Sequence, residues 1–168
     1  WNIGAEGQVL MGGLAAAACM ISLRGKVSNG VLIAIIFVTG ILLGMVWGMI
    51  PAIFKAFWGA NETLFTLMMN YCAMQIVSFF VVKWENPINS GKVGIINLRG
   101  EFKQAGWLPE LFGQKYILNI VVVLLVMILM YFYMKYSKQG FEISVVGESE
   151  NTARYVGINV KKTIIRTM

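Results

Sequence analysis

Apolar residues fall into four long runs, Gln8 to Leu23, Val31 to Ile50, Leu64 to Val82 and Tyr116 to Met134, separated by polar stretches. Each run predicts a helix, and about 20 apolar residues are enough to cross a bilayer. The second and fourth have the full spanning length and the third nearly reaches it. The first covers only about 24 Å of a hydrocarbon core roughly 30 Å thick, which predicts a start inside the membrane.

The polar and small residues refine this pattern. Gly40, Gly44 and Gly48 recur at four-residue spacing in the second run, and Gly12, Gly13 and Ala15 to Ala18 make the first equally slender. Such faces let helices approach closely, so a tight bundle is expected. The stretch from Lys83 to Lys115, with Pro87, Pro109 and mixed charges, is the expected extramembrane loop. Tyr131, Phe132, Tyr133 and Tyr136 gather at the end of the fourth run with Lys135 and Lys138, as interface anchors do. A short polar stretch then runs from Val146 to Ile158. Gly147 and Gly157 bound it, Ser149 can cap a helix start, and Glu150 sits where the helix dipole favours an acid. A small surface helix over 147–158 is therefore predicted, with a further helix starting at 163–168.

Composition sets the solvent. The chain is 58% hydrophobic, has a mean hydropathy of +0.70 and carries only 13% charged residues, too apolar for a soluble domain of 168 residues to cover itself. The predicted fold class is all-α: a polytopic integral membrane helical bundle, one transmembrane domain over residues 1–168. It is expected to be incomplete at both ends, because it opens on Trp1 and closes on Met168 just after turning apolar again. No signal peptide is legible.

Fourteen Lys and Arg face eight acidic residues, a net charge of +6. The cations are confined to loops and form no clustered stripe, which favours anionic lipid over nucleic acid as a partner. Cys19 and Cys72 lie within apolar runs and read as small hydrophobes rather than a disulfide. Orientation is undecided by charge. Loops 24–30 and 83–115 carry seven cations, and 51–61 together with the region after 134 carry the other seven.

The chain contains no His and no Asp, and its two cysteines do not form a metal-ligand spacing, so no catalytic or metal-binding set and no cofactor are expected. No phosphate-cradling loop of the GxxxxGK[ST] kind occurs, so nucleotide energy would have to come from another subunit. The remaining polar features near the membrane are few. Asn2, Glu6 and Gln8 stand beside Gly4 and Gly7, a composition suited to a broken helix lining a cavity, or to an ordinary interfacial loop. Asn61 and Glu62 open the third run, and Asn70, Tyr71 and Gln75 lie within it. Amides and a phenol suit hydrogen bonding to a neutral, hydroxyl-rich solute, and they serve equally as glue between helices.

Three ordered motifs carry a resemblance. Asn2-Ile3-Gly4-Ala5-Glu6-Gly7-Gln8, then Asn61-Glu62 with Thr66-Leu67-Met68 and Asn70-Tyr71, then Gly147-Glu148 with Ala153-Arg154-Tyr155-Val156-Gly157-Ile158, resemble permease subunits of bacterial ABC importers, nucleoside and simple-sugar branch. The family has Asn-Pro where this chain has Ser149-Glu150, and alanines where it has Thr152 and Val156. Ser still caps and Glu still suits the helix dipole, so the departures are mild.

The resemblance implies a transmembrane subunit of an ATP-driven importer in the bacterial plasma (inner) membrane, not itself an enzyme. The implied partners are ABC ATPase subunits, a second permease subunit, identical or homologous, and an extracytoplasmic solute-binding protein. It implies that 147–158 is a cytoplasmic coupling helix, with Gly147, Glu148, Asn151, Ala153, Arg154, Tyr155, Gly157 and Ile158 at the ATPase contact and loop 83–115 outside. Asn2, Glu6, Gln8, Asn61, Glu62, Asn70 and Tyr71 are the candidates for the substrate pathway. An ion-gradient-driven secondary transporter or channel is the alternative. A membrane-embedded enzyme is disfavoured, since without His and Asp few groups are left for catalysis.

Overall fold

The computed structural model describes residues 3–93, 106–108, 113 and 116–167. Among the described residues seven helices follow one another: α1 (Ala5–Leu23), α2 (Asn29–Trp58), α3 (Glu62–Trp84), α4 (Ile117–Tyr136), α5 (Lys138–Glu148), α6 (Glu150–Tyr155) and α7 (Val160–Thr167). The chain is an all-α membrane domain: α1, α2, α3 and α4 are each long and apolar enough to cross a bilayer. Asn2 and most of the loop between α3 and α4 lie outside the described residues.

The helix boundaries differ from the apolar runs for identifiable reasons. α1 starts at Ala5 rather than Gln8, with the Gln8 N–H donating to the Gly4 carbonyl at 3.2 Å. Its 19 residues reach roughly 28 Å, about one hydrocarbon core, so it does not need to start inside the membrane. The broken helix or interfacial loop expected around Glu6 and Gln8 is corrected with it: both lie on continuous α-helix. α2 runs on through Pro51 to Trp58, where Gly59 at φ +64 stops it. A proline removes one N–H from the ladder, but Ala52, Ile53 and Phe54 keep the apolar helix going beyond it.

The chain divides into two compact units, residues 1–51 with 60–107, and residues 52–59 with 108–168. In the first, α1 and α2 meet backbone to backbone. A Cβ on Gly12 would lie 3.1 Å from the Gly40 carbonyl oxygen, and one on Gly44 would lie 3.4 Å from that of Gln8. The glycine faces therefore act as packing surfaces. Gly13 meets nothing within 4 Å and takes no part. Further along this crossing, the Cys19 Sγ lies 3.4 Å from the Thr39 hydroxyl oxygen, and both cysteines are free thiols. Near the start of α2 the Asn29 amide holds part of the loop between α3 and α4, accepting from the Gly106 N–H at 2.7 Å and donating to the Trp107 carbonyl at 3.3 Å.

The second unit holds α4 to α7. The C-terminal part of α4 carries an aromatic collar in which the Lys135 ammonium lies 5.4 Å from the Tyr131 ring centre and 5.6 Å from that of Tyr136. Amphipathic rings beside a lysine are the usual chemistry of the bilayer boundary. α7 starts at Val160, ahead of the expected 163, because Asn159 caps it: its side-chain oxygen accepts from the Lys162 N–H at 3.1 Å.

Candidate functional site

Three short polar caps in series shape the segment after α4. Ser137 is extended (φ −88, ψ 149), and its hydroxyl accepts from the Gly140 N–H at 2.9 Å, which starts α5. α5 then folds back so tightly that a Cβ on Gly140 would lie 2.1 Å from the Met134 carbonyl oxygen, so the elbow admits only glycine. The Tyr133 hydroxyl donates to Gln139 Oε1 across the same elbow. Ser149 is extended in turn (φ −160, ψ 118), and its hydroxyl accepts from the Thr152 N–H at 3.3 Å, opening α6.

α6 is closed by its own sequence. Gly157 adopts φ +82, a left-handed conformation that costs other residues energy. The Ile158 N–H donates to the Ala153 carbonyl at 2.9 Å, and the Gly157 N–H to that of Arg154 at 3.1 Å. These paired bonds satisfy carbonyls that the helix end leaves open. A six-residue helix would not persist alone in water, so capping at both ends and the burial of Ala153 hold it.

The expected helix over 147–158 is corrected by this geometry. Gly147 and Glu148 close α5, Ser149 is a corner, and α6 occupies only Glu150–Tyr155. The extended backbone at Ser149 breaks helical continuity, which glycine at 147 does not. Ala153 is fully buried beneath α6, whereas Tyr155 is 92% exposed and Val156 stands beside it, also exposed. Asn151, Arg154 and Tyr155 line an open concavity of about 430 Å³. Arg154 pairs with Glu150 at 3.6 Å across one helical turn, and both side chains face solvent enough that the pair contributes only about 0.3 kcal/mol. Ser137, Gly140 and Asn159 were not singled out from sequence. A serine or asparagine just before a helical stretch was the available signal for two of them, whereas Gly140 depends on a through-space clash.

The other candidate residues lie in the first unit. Asn70 on α3 is 4% exposed and lies on one face with Thr66 and Ala73, both fully buried. Its side-chain oxygen accepts from the Gly7 N–H at 2.9 Å, and its amide nitrogen donates to the Ile3 carbonyl at 2.9 Å. One amide on α3 thus satisfies an N–H in the first turn of α1, whose early N–H groups have no partner within their own helix, and a carbonyl just ahead of that helix. The fit is close. A Cβ on Gly7 would lie 2.8 Å from Asn70 Oδ1 and 3.0 Å from Trp47 Nε1. Glu6 and Gln8 flank Gly7, so the Asn70 clamp fixes where they stand. Asn61 caps α3, accepting from the Leu64 N–H at 3.3 Å, and Glu62 is the first helical residue. Asn70 lies two turns further on, about 12 Å along the axis, while Tyr71 faces away from the clamp and is 61% exposed.

Known proteins match the chain along its whole length. The family model for "Branched-chain amino acid transport system / permease component" covers residues 1–168. The guanosine ABC transporter permease protein NupP of Bacillus subtilis is 32% identical over all of this chain, which covers 47% of that protein. The nucleoside ABC transporter permease protein NupB of Lactococcus lactis is 24% identical, again over all of this chain and 47% of the relative. The glucose ABC transporter permease protein TsgB13 of Haloferax volcanii is 26% identical over 95% of this chain and 43% of its own length. The chain thus spans about half the length of the curated relatives it matches. No solved structure matches it. A full-length family match, on a domain with four membrane-length helices and a capped surface helix, makes this chain a member of the permease-component family of branched-chain amino acid-type transport systems.

Proposed function

We propose that the chain forms part of the transmembrane subunit of an ATP-driven importer, which moves a nucleoside or simple sugar by alternating access. In this reading it works in the bacterial plasma membrane with two ATPase subunits, a second permease and an extracytoplasmic solute-binding protein. ATP is hydrolysed on the ATPase, not on this chain. The substrates in the relatives' names, guanosine, nucleosides and glucose, support a hydroxyl-rich uncharged cargo.

One observation carries the proposal: α6 is rigidly capped at both ends, anchored from below by Ala153, and presents Tyr155 almost wholly to the outside. A large aromatic with a polar tip, held on a short braced helix, suits insertion into a partner's pocket. Arg154 and Asn151 line the concavity beside it and supply polar contacts at its rim. An ATPase gripping α6 can shift the permease between inward- and outward-open states only if the grip differs in strength between them.

The pathway in this reading is built from Glu6, Gln8, Asn61, Glu62 and Tyr71, together with Asn2. Asn70 contributes by fixing the first turn of α1 through Gly7 and Ile3. Replacing Tyr155 with alanine in the full transporter should reduce ATP-dependent uptake at least about tenfold, as loss of a central aromatic anchor does, while leaving membrane insertion unchanged. Normal uptake in that variant would refute the assignment of α6. Uptake that survives ATP depletion and collapses with an ionophore would replace the whole reading by an ion-coupled one.

A further inference from the structure

A second concavity, of about 440 Å³, is bounded by α5, the turn after α6 and α7. Its charged lining is Lys138, Lys162 and Arg166 against the single carboxylate of Glu142, and none of these four makes an ion pair with another described residue. Phe141, 62% exposed, and Ile158 give it an apolar edge. Lys161, between these cations in sequence, is otherwise engaged, with its ammonium 4.9 Å from the Phe57 ring centre. The cavity therefore combines a surplus of positive charge, unpaired among the described residues, with an oily rim.

Its depth relative to the bilayer follows from α4. That helix ends at Tyr136 inside the aromatic collar around Lys135, and Lys138 begins the next helix two residues later. The first cation of the cavity thus stands immediately outside the hydrocarbon boundary, at the level of lipid phosphates. A concavity of a few hundred cubic ångströms accommodates a small headgroup, and a globular partner would need far more surface.

We propose that this cavity binds the headgroup of an anionic phospholipid, its phosphodiester held by Lys138, Lys162 and Arg166 and its acyl end leaning on Phe141. The ligand chemistry is a phosphate oxyanion with no compensating cation on the same molecule. The site adjoins α6 through Val156 and Gly157, so an occupied headgroup buttresses the turn that closes that helix. This binding does not depend on the transport reading, because it requires only that α4 crosses a membrane.

Native mass spectrometry of the complete detergent-purified transporter tests it, after equilibration with phosphatidylcholine vesicles containing a minor fraction of phosphatidylglycerol. The wild type should retain phosphatidylglycerol in preference to phosphatidylcholine. A triple variant, Lys138→Gln, Lys162→Gln and Arg166→Gln, should bind it about 100-fold more weakly, at about fivefold per interfacial cation. The charge-preserving variant Lys138→Arg, Lys162→Arg and Arg166→Lys should retain it. Equal retention by wild type and the neutral variant overturns the site, and so does equal loss from both variants. Displacement of the lipid by millimolar inorganic phosphate would make free phosphate the ligand and overturn the lipid assignment. A neutral variant that keeps its lipid but sheds the ATPase would make the cavity a protein contact instead.

Discussion

The start of α1 in the first unit and the short helix α6 in the second solve the same problem, satisfying helix ends, in opposite ways. α6 uses neighbours in sequence: Ser149 bonds Thr152, and Ile158 bonds Ala153. The first turn of α1 uses an amide 63 residues away, on α3. The difference follows from solvent. Outside the membrane, water competes for every polar group, so caps close by in the chain suffice and cost little ordering. Within an apolar bundle no water is at hand, and an open N–H or carbonyl must find a partner on another helix. The local solution makes a self-contained knob, while the long-range one ties two spans together.

Substitutions that attack each solution separately should therefore separate in size and in reach. The elbow at Gly140 is the most sensitive point in the second unit. Gly140→Val sets side-chain carbon against the Met134 carbonyl, where the backbone cannot yield, and should cost at least about 3 kcal/mol. The readout is loss of folded protein in size-exclusion chromatography of detergent extracts. Asn70→Leu comes next, leaving the Gly7 N–H and the Ile3 carbonyl without partners, and should cost about 2 kcal/mol. Thermal unfolding monitored by tryptophan fluorescence would show it. A loss of stability confined to the α1–α3 pair, seen as faster hydrogen exchange at the start of α1, would confirm the long-range character of the clamp.

Smaller effects are expected from the locally encoded helix. Gly157→Ala forces an L side chain into φ +82 and should cost about 1 kcal/mol, detected as faster amide exchange in α6 with the spans unaffected. Exchange that also rises in α1 or α3 would contradict the division between local and long-range fixation. Glu150→Gln removes one partner of an exposed ion pair and should change stability by only about 0.3 kcal/mol, within the error of most melts. A larger loss would mean that Arg154 depends on Glu150 for more than a solvated contact.

Sequence alone determined the all-α membrane class, because hydrophobic runs of spanning length leave the chain no other solvent, and it marked the polar knob through Ser149 and Gly157, whose chemistry acts within a few residues. It read the ends of helices less well. The second run closes at Ile50, yet α2 passes through Pro51 to Trp58, since one missing N–H does not outweigh the apolar residues beyond. Ser149 reads as a helix-start cap and is one, but Gly147, a boundary in the sequence pattern, is absorbed into α5, because extended backbone and a hydroxyl cap break a helix where a glycine does not. The amides read as either solute ligands or glue. Only the tertiary structure assigned Asn70 its partners, Ile3 and Gly7, and gave Gly140 its necessity. Both depend on atoms distant along the chain or folded back upon it, and no local pattern of residues encodes a distance through space.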